Sequence, residues 1–225
     1  MKQYELHMHT KYSQCSNLEL STILKIAKKR KLDGVAITDH DVFTGAQKLF
    51  ALNKDKNFEV IRGEELSTTY GHLLVYHLQK EIKSRDFLGI VDEVQEQDAL
   101  LLVAHPFDFL REHTSKQFIL GHKNDLDGIE IFNARSLVPW SNGQAKALAQ
   151  QHALPFIGGS DAHFWMEIGR VRTCFEGDLR SALKKRKIKI LGNSLFGPWG
   201  HFLTLTKKFQ EGNFRSITKF LGHSR

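Results

Sequence analysis

The fold class this sequence predicts is α/β with mostly parallel strands, and three observations predict it. Short β-prone runs alternate with helix-period segments along most of the 225 residues, the pattern of successive strand–helix units. Residues able to bind metal fall at or just past the ends of the β runs: His7 and His9, His40, Glu65, His105, Asp161 and His163. In barrel-like α/β folds that carboxyl end is where active sites are built. The length also suits one domain with a substantial core.

The first β run spans 3–7 and leads to His9. Residues two apart on an extended strand face the same side, so His7 and His9 can aim both imidazoles at one point. A polar loop from Thr10 to Asn17 follows. Ser16 with Glu19 three residues on reads as a capping box. It opens a helix in which Leu20, Ile23, Leu24 and Ala27 keep helical spacing to about Arg30. Lys28, Lys29, Arg30 and Lys31 suit the negative end of that helix dipole. Residues 34–38 form a second β run that ends in Asp39-His40-Asp41, and a helical pattern covers 44–52. A third strand at 58–61 leads into Arg62-Gly63-Glu64-Glu65-Leu66-Ser67, and a fourth covers 72–78. A helix at 85–97 precedes a strand at 100–104 that ends in His105-Pro106. The run at 128–132 carries Glu130 inside it and Asn133 at its end. A helix rich in Ala and Gln spans 141–152, then a strand at 155–157 is stopped by Gly158-Gly159 and followed by Ser160-Asp161-Ala162-His163. A strand at 171–175, a helix at 179–185 and a strand at 187–191 complete the pattern. The tail from about 202 to 221 keeps helical apolar spacing, broken at Gly212. A single domain over 1–225 is therefore expected, with 193–225 a helical extension packed on it.

Composition narrows the function classes. Hydrophobic residues make up 41% and charged residues 25%, so the chain is globular rather than disordered. No apolar run approaches the ~20 residues of a membrane span. Glu5 and two histidines stand where a secretory signal would need an apolar stretch. Cys15 and Cys174 make no disulfide framework. The reading is a cytoplasmic protein. The net charge of +7 comes from basic clusters at 25–31 and 184–189 and from 207 onward. No aromatic-interleaved basic motif or zinc-finger spacing accompanies them. They read as solvated helix faces, and a positive field also gathers small anionic substrates.

There are twelve histidines. His113, His122, His152, His201 and His223 fall in loops, helices or the tail and read as surface or packing residues. His77 lies inside an apolar strand and is ambiguous. The remaining six, with Glu65 and Asp161, exceed the four donors of one tetrahedral zinc site. They suit two or three divalent ions sharing bridging carboxylates. Mixed imidazole and carboxylate donors fit Zn, Mn or Fe, and the lack of a cysteine-rich set argues against a closed structural zinc site.

Five stretches in order carry a resemblance: Glu5-Leu6-His7-Met8-His9-Thr10, Ala36-Ile37-Thr38-Asp39-His40, Gly63-Glu64-Glu65-Leu66-Ser67, Val103-Ala104-His105-Pro106 and Gly159-Ser160-Asp161-Ala162-His163. They resemble the successive motifs of the PHP (polymerase and histidinol phosphatase) family and span residues 5 to about 173. The resemblance implies a distorted (β/α)7 barrel with a trinuclear, metal-dependent phosphoesterase site at the carboxyl ends of the strands. It assigns His7, His9, Glu65 and Asp161 to one ion, and His40 and His163 to a second with help from the loop after His9. Glu65, His72 and His105 fall to the third, with Glu65 the bridge. His77 competes with His72 for its place. Where the family commonly has Asp or His, five or six residues after the second histidine, this chain has Gln14 and Cys15. Cys15 either replaces that ligand as a thiolate or packs as a small residue. Glu5 and Asp39 read as carboxylates that orient imidazoles. Glu64 and Asp41 read as exposed neighbours, and Glu130 and Asn133 lie near the site.

The implied chemistry is in-line hydrolysis by a metal-bound hydroxide, with His40 or His163 assisting proton transfer. Arg170, seven residues past His163, is the first choice of phosphate clamp and Arg135 the alternative, since a guanidinium binds phosphate bidentately. The leading function is hydrolysis of a small phosphomonoester, histidinol-phosphate-like or nucleotide-like. The alternatives are a nuclease acting on phosphodiesters and a non-catalytic metal-binding interaction module.

Overall fold

The computed structural model describes residues 1–193 apart from 110 and 139. In chain order it contains β1 (Lys2–Glu5), α1 (Leu20–Lys29), β2 (Gly34–Ile37), α2 (Thr44–Leu52), β3 (Glu59–Thr68), β4 (Gly71–Tyr76), α3 (Phe87–Glu96), β5 (Leu100–Val103), α4 (Lys116–Gly121), β6 (Gly128–Asn133), α5 (Ser141–His152), β7 (Phe156–Gly159), β8 (Val171–Phe175), α6 (Leu179–Lys184) and β9 (Lys189–Gly192). The helical extension expected in the tail lies outside the described residues.

All nine strands join one sheet in the order β7-β6-β5-β4-β3-β2-β1-β8-β9. The pairs β1–β2, β2–β3, β5–β6 and β6–β7 are parallel, whereas β3–β4, β4–β5, β1–β8 and β8–β9 are antiparallel. The sheet is therefore mixed rather than mostly parallel, and its nine strands do not follow a sevenfold strand–helix count. The difference arises at β3. Its residues beyond Ile61, Arg62-Gly63-Glu64-Glu65, lie past the end expected for this strand, yet the strand continues to Thr68. It turns back through Thr69-Tyr70 so that Thr68 pairs with Gly71. So short a connection permits only antiparallel pairing.

Hydrogen bonds beyond the regular ladders nearly close the sheet into a barrel. Thr173 Oγ1 on β8 donates to Gly158 O at 2.7 Å and accepts from Gly158 N at 2.9 Å. Ser160 Oγ, just past β7, accepts from Val171 N at 2.8 Å. At the carboxyl end Met8 pairs with Ala162 in parallel, His9 N donating to Ala162 O and Ala162 N to His7 O.

Alternation along the strands separates two apolar layers. Tyr4, Leu6, Ala36, Ile61, Leu74, Tyr76, Leu100, Leu102 and Ile157 form one cluster with Phe175 and the α6 residues Leu179, Ala182 and Leu183. Val35, Ile37, Val60, Leu73, Val75, Leu101, Val103 and Ile129 face the other way, among the apolar sides of α1, α2, α3 and α5. Strands such as Leu100–Val103 are buried throughout, as strands covered on both faces must be. In α1, Ile23 and Ala27 are buried while Lys28 and Lys29 finish the last turn. Its N-cap is Glu19, with no side-chain capping bond, so Ser16 is not the expected cap. Its Oγ lies 3.0 Å from both His9 O and His163 O and holds the loop against the site instead. No helix among the described residues is long and apolar enough to cross a membrane.

Candidate metal centre

The strand ends bring the six histidines together around Glu65. On β3, Glu65 stands at the same alternation as Ile61, and its carboxylate points into the barrel mouth. Its Oε2 lies 3.1 Å from His7 Nε2, 3.2 Å from His9 Nε2 and 3.4 Å from His40 Nδ1. Its Oε1 lies 2.9 Å from His72 Nδ1 and 3.0 Å from His105 Nε2. Asp161 Oδ1 sits 3.2 Å from His9 Nε2 and 3.7 Å from His7 Nε2. The His163 ring is 4.4 Å from that of His9, centroid to centroid. His72 is thus among the imidazoles around Glu65, whereas His77 lines a cleft of about 910 Å³ formed by the starts of β1 and β3.

The backbone is bent to achieve this. Asp41, His105 and Asp161 have φ of 53°, 25° and 54°, a region L-residues rarely occupy and one that concentrates at functional sites. Gly159 is required by crowding, because a Cβ there would collide with His7 Cβ and lie 2.8 Å from Glu130 Oε1.

An outer layer of polar groups holds these side chains. Glu130 Oε1 is 3.1 Å from His7 Nδ1, and its Oε2 accepts from His105 N and Asn133 Nδ2. Arg111 donates to Asp161 Oδ2 at 2.6 Å and to Asp108 Oδ2 at 3.0 Å. Glu112 Oε2 is 3.4 Å from His72 Nε2. Glu167 accepts from His163 N and Phe164 N and pairs with Arg135. Glu5 and Asp39 do not take the imidazole-orienting role expected of them. Glu5 accepts from the backbone amides of His7, Ser160 and Gly169, while Asp39 grips Thr10 through its amide and hydroxyl. Glu64 is fully buried rather than exposed, because it faces the α3 side of the sheet and accepts from Ile82 N.

The electrostatics divide the histidines. Burial lowers the pKa of His7, but the charges of Glu130, Glu65 and Asp161 outweigh it and raise His7 well above the ordinary value. His9 is likewise raised against burial by the carboxylates of Asp161 and Glu65 beside it. His72 reaches about 9, Glu65 outweighing burial. Burial pushes His40 down to about 3, and burial with Arg135 holds His163 well below its usual range. His105 is lowered by burial and by Arg111. Burial favours the neutral carboxyls of Glu65 and Asp161, but the surrounding cations prevail and hold both well below the usual range. Burial pushes the Cys15 thiol up to about 12.

The donor set fits divalent cations. Both ring nitrogens of His9 and Nδ1 of His40 and of His105 are buried with no hydrogen-bond partner among the described residues. Buried unpaired nitrogens cost about 1–3 kcal/mol each, and lone pairs aimed at a shared point are what a cation satisfies. Three groups have ligand atoms within 4.8 Å of one another: His7, His9 and Glu65; His40, Glu65 and His72; and His9, Cys15, His40 and His163.

Of the two arginines expected to clamp phosphate, Arg135 is buried beside Glu167 at the site. Arg170 donates to Met166 O on the outer side, near Arg30. Arg111, Glu112 and Glu167 carry no sequence signal beyond falling in loops that follow His105 and His163. His122 packs against Phe87 and Phe118, and His113 and His152 are exposed, as expected of residues outside the site.

A model of the PHP-associated family matches residues 139–189. The uncharacterized protein MJ1587 of Methanocaldococcus jannaschii is 33% identical over 141 residues, covering 58% of this chain and 81% of that protein. Among solved structures, a two-domain protein from Bacteroides vulgatus containing a predicted PHP-like metal-dependent phosphoesterase superposes with a TM-score of 0.70 at 18% identity. The match covers 85% of this chain and 65% of that one, so this chain spans less than two thirds of it. PsfC from Pseudomonas syringae superposes with a TM-score of 0.68 at 22% identity, over 93% of this chain and 98% of that one. Barrel-like sheet, strand-end histidines and these matches define one class: the chain belongs to the PHP family.

Proposed function

We propose that this chain is a metal-dependent phosphoesterase that hydrolyses a small, nucleotide-like phosphomonoester. The observation that carries the reading is the placement of Glu65, whose two oxygens face separate sets of imidazoles, His7, His9 and His40 on one side and His72 and His105 on the other. A carboxylate so placed would serve a cation on either side. His7, His9, Glu65 and Asp161 would hold one divalent ion, His40 and His163 a second, and Glu65, His72 and His105 a third. When bound, such ions supply a nucleophilic water at neutral pH and cancel charge on phosphoryl oxygens.

The chain's own residues do the rest. Glu130 and Arg111 hold His7 and Asp161 in register, so the donors need not reorganise on binding. Arg111 and Arg135 bring fixed positive charge to the place where the phosphoryl group must sit. His40 presents Nδ1 to Glu65 and is the most exposed of the six imidazoles, which leaves Nε2–H to hydrogen-bond the departing oxygen. Phe109 and Trp140, on the loops after β5 and β6, are more than half exposed, with ring centroids 6.1 Å apart. Phe109 adjoins Asp108, which holds Arg111, so the pair stands at the rim of the centre. Exposed ring faces beside an anion site suit a nucleobase, which stacks on aromatic side chains. The same pair, with the net charge of +7, supports phosphodiester cleavage at the end of a nucleic acid strand as the second reading.

A panel of phosphorylated metabolites, with p-nitrophenyl phosphate and its bis-ester, tests this on protein loaded with manganese or zinc. Nucleoside monophosphates are expected to turn over fastest, and His9→Ala to abolish turnover while circular dichroism stays unchanged. Preference for the bis-ester would select the second reading. No turnover by fully metal-loaded protein would overturn both.

A further inference from the structure

We infer that Cys15 is a thiolate ligand, so that the position formed by Cys15, His40 and His163 takes a thiophilic ion such as zinc or ferrous iron in preference to magnesium or manganese. The inference rests on the phosphoesterase reading only in taking the histidine cluster to bind metal.

The ligand atoms of Cys15, His9, His40 and His163 lie within 4.8 Å of one another, the Cys15 sulfur among three imidazoles. A cysteine used for packing sits among apolar side chains, and Cys15 belongs to neither apolar cluster of the fold. Its loop is tied down on both sides. Ser13 Oγ accepts from His40 N at 2.9 Å, and Ser16 Oγ bridges His9 O and His163 O. Cys15 is thus held by the backbones of the three histidines it faces.

Each imidazole has a nitrogen to offer. The His163 Nδ1–H donates to Asp161 O at 2.8 Å, which fixes the neutral tautomer with its lone pair on Nε2. His40 Nδ1 is buried without a hydrogen-bond partner among the described residues and lies 3.4 Å from Glu65 Oε2, farther than either carboxylate contact of His9. His9 turns its Nε2 towards Glu65 and Asp161, 3.2 Å from each, and so belongs to the neighbouring position. The set left over is one sulfur and two imidazoles. Thiolate and imidazole donors favour zinc and iron, whereas magnesium and manganese prefer oxygen. No carboxylate is assigned to this position, and every other position has one. The second cysteine, Cys174, is a separate free thiol on β8.

Cobalt(II) loading of the full chain reads the sulfur ligand directly. The parent protein should show a near-ultraviolet sulfur-to-cobalt charge-transfer band. Cys15→Ser should lose the band and about one equivalent of metal. Cys15→His should keep the metal and its visible bands while losing the charge-transfer band, with circular dichroism confirming the fold of both. In competition, the parent should retain zinc at one position against excess manganese, and Cys15→Asp should release it. Full cobalt loading without the band, or equal zinc retention by Cys15→Asp, would overturn the thiolate and leave the phosphoesterase reading standing. Absence of cobalt from the folded parent would overturn both.

Discussion

Glu64 turns away from the histidines into the packed side of the sheet, where its Oε2 accepts from Ile82 N at 3.1 Å and its Oε1 has no hydrogen-bond partner among the described residues. Burial raises its pKa from an ordinary 4.5 to about 8. Between those values the unfolded chain has released the proton and the folded chain keeps it, so stability falls as pH rises through that window. Glu64→Gln has no charge to bury. It is expected to match the parent near pH 4 and to exceed it at about pH 9 by roughly 1–3 kcal/mol. Urea denaturation at both values measures this, and equal stability at the higher pH would refute it. Its neighbour Glu65 has the opposite fate, held well below its usual range by the imidazoles around it. The sequence could single out Glu65 only through its resemblance to a family motif, because two adjacent glutamates look alike until strand alternation sends them to opposite faces. The histidine pair at His7 and His9 was legible without help, since spacing of two fixes a shared side. Arg111, Glu112 and Glu167 were not, because their reach depends on the course of loops that no local spacing encodes.

At the scale of elements, the seam between β7 and β8 rests on side chains. Thr173 Oγ1 bonds both the amide and the carbonyl of Gly158. Thr173→Val keeps the shape and removes the hydroxyl, leaving both backbone groups unpaired. A loss of about 1–3 kcal/mol is expected in chemical denaturation, with metal content unchanged. A stability equal to the parent's would mean that the seam is held elsewhere. The helix at Ser141–His152 and the strand at Val171–Phe175 were readable to the residue, because periodicity and turn residues bound them on both sides. β3 was truncated in the sequence reading because its second half is built from the polar residues that make the site. The six-residue α4, too short to show a period, gave no signal.

For the whole molecule, the cluster stores protons that a cation must displace. Without metal, His7, His9 and His72 are raised by Glu65 and its neighbours, His72 to about 9. A ligand protonated below its pKa competes with metal, so apparent affinity should climb as pH rises towards about 9. Calorimetric titration of zinc in buffers of different ionisation enthalpy should reveal proton release, and the melting temperature should rise with zinc concentration. Binding without proton release would contradict the charge pattern. A last consequence follows from the pairing of Met8 with Ala162 and from the bonds Glu5 makes to Ser160 and Gly169. The strand that carries the first imidazoles is anchored by Ser160 and Gly169, which are made more than 150 residues later. At ~5–20 residues per second, that is roughly eight to thirty seconds of translation. Throughout that interval the nascent chain has exposed histidines and no finished centre. Any metal the centre takes up would therefore be loaded only after residues 160–169 have been made.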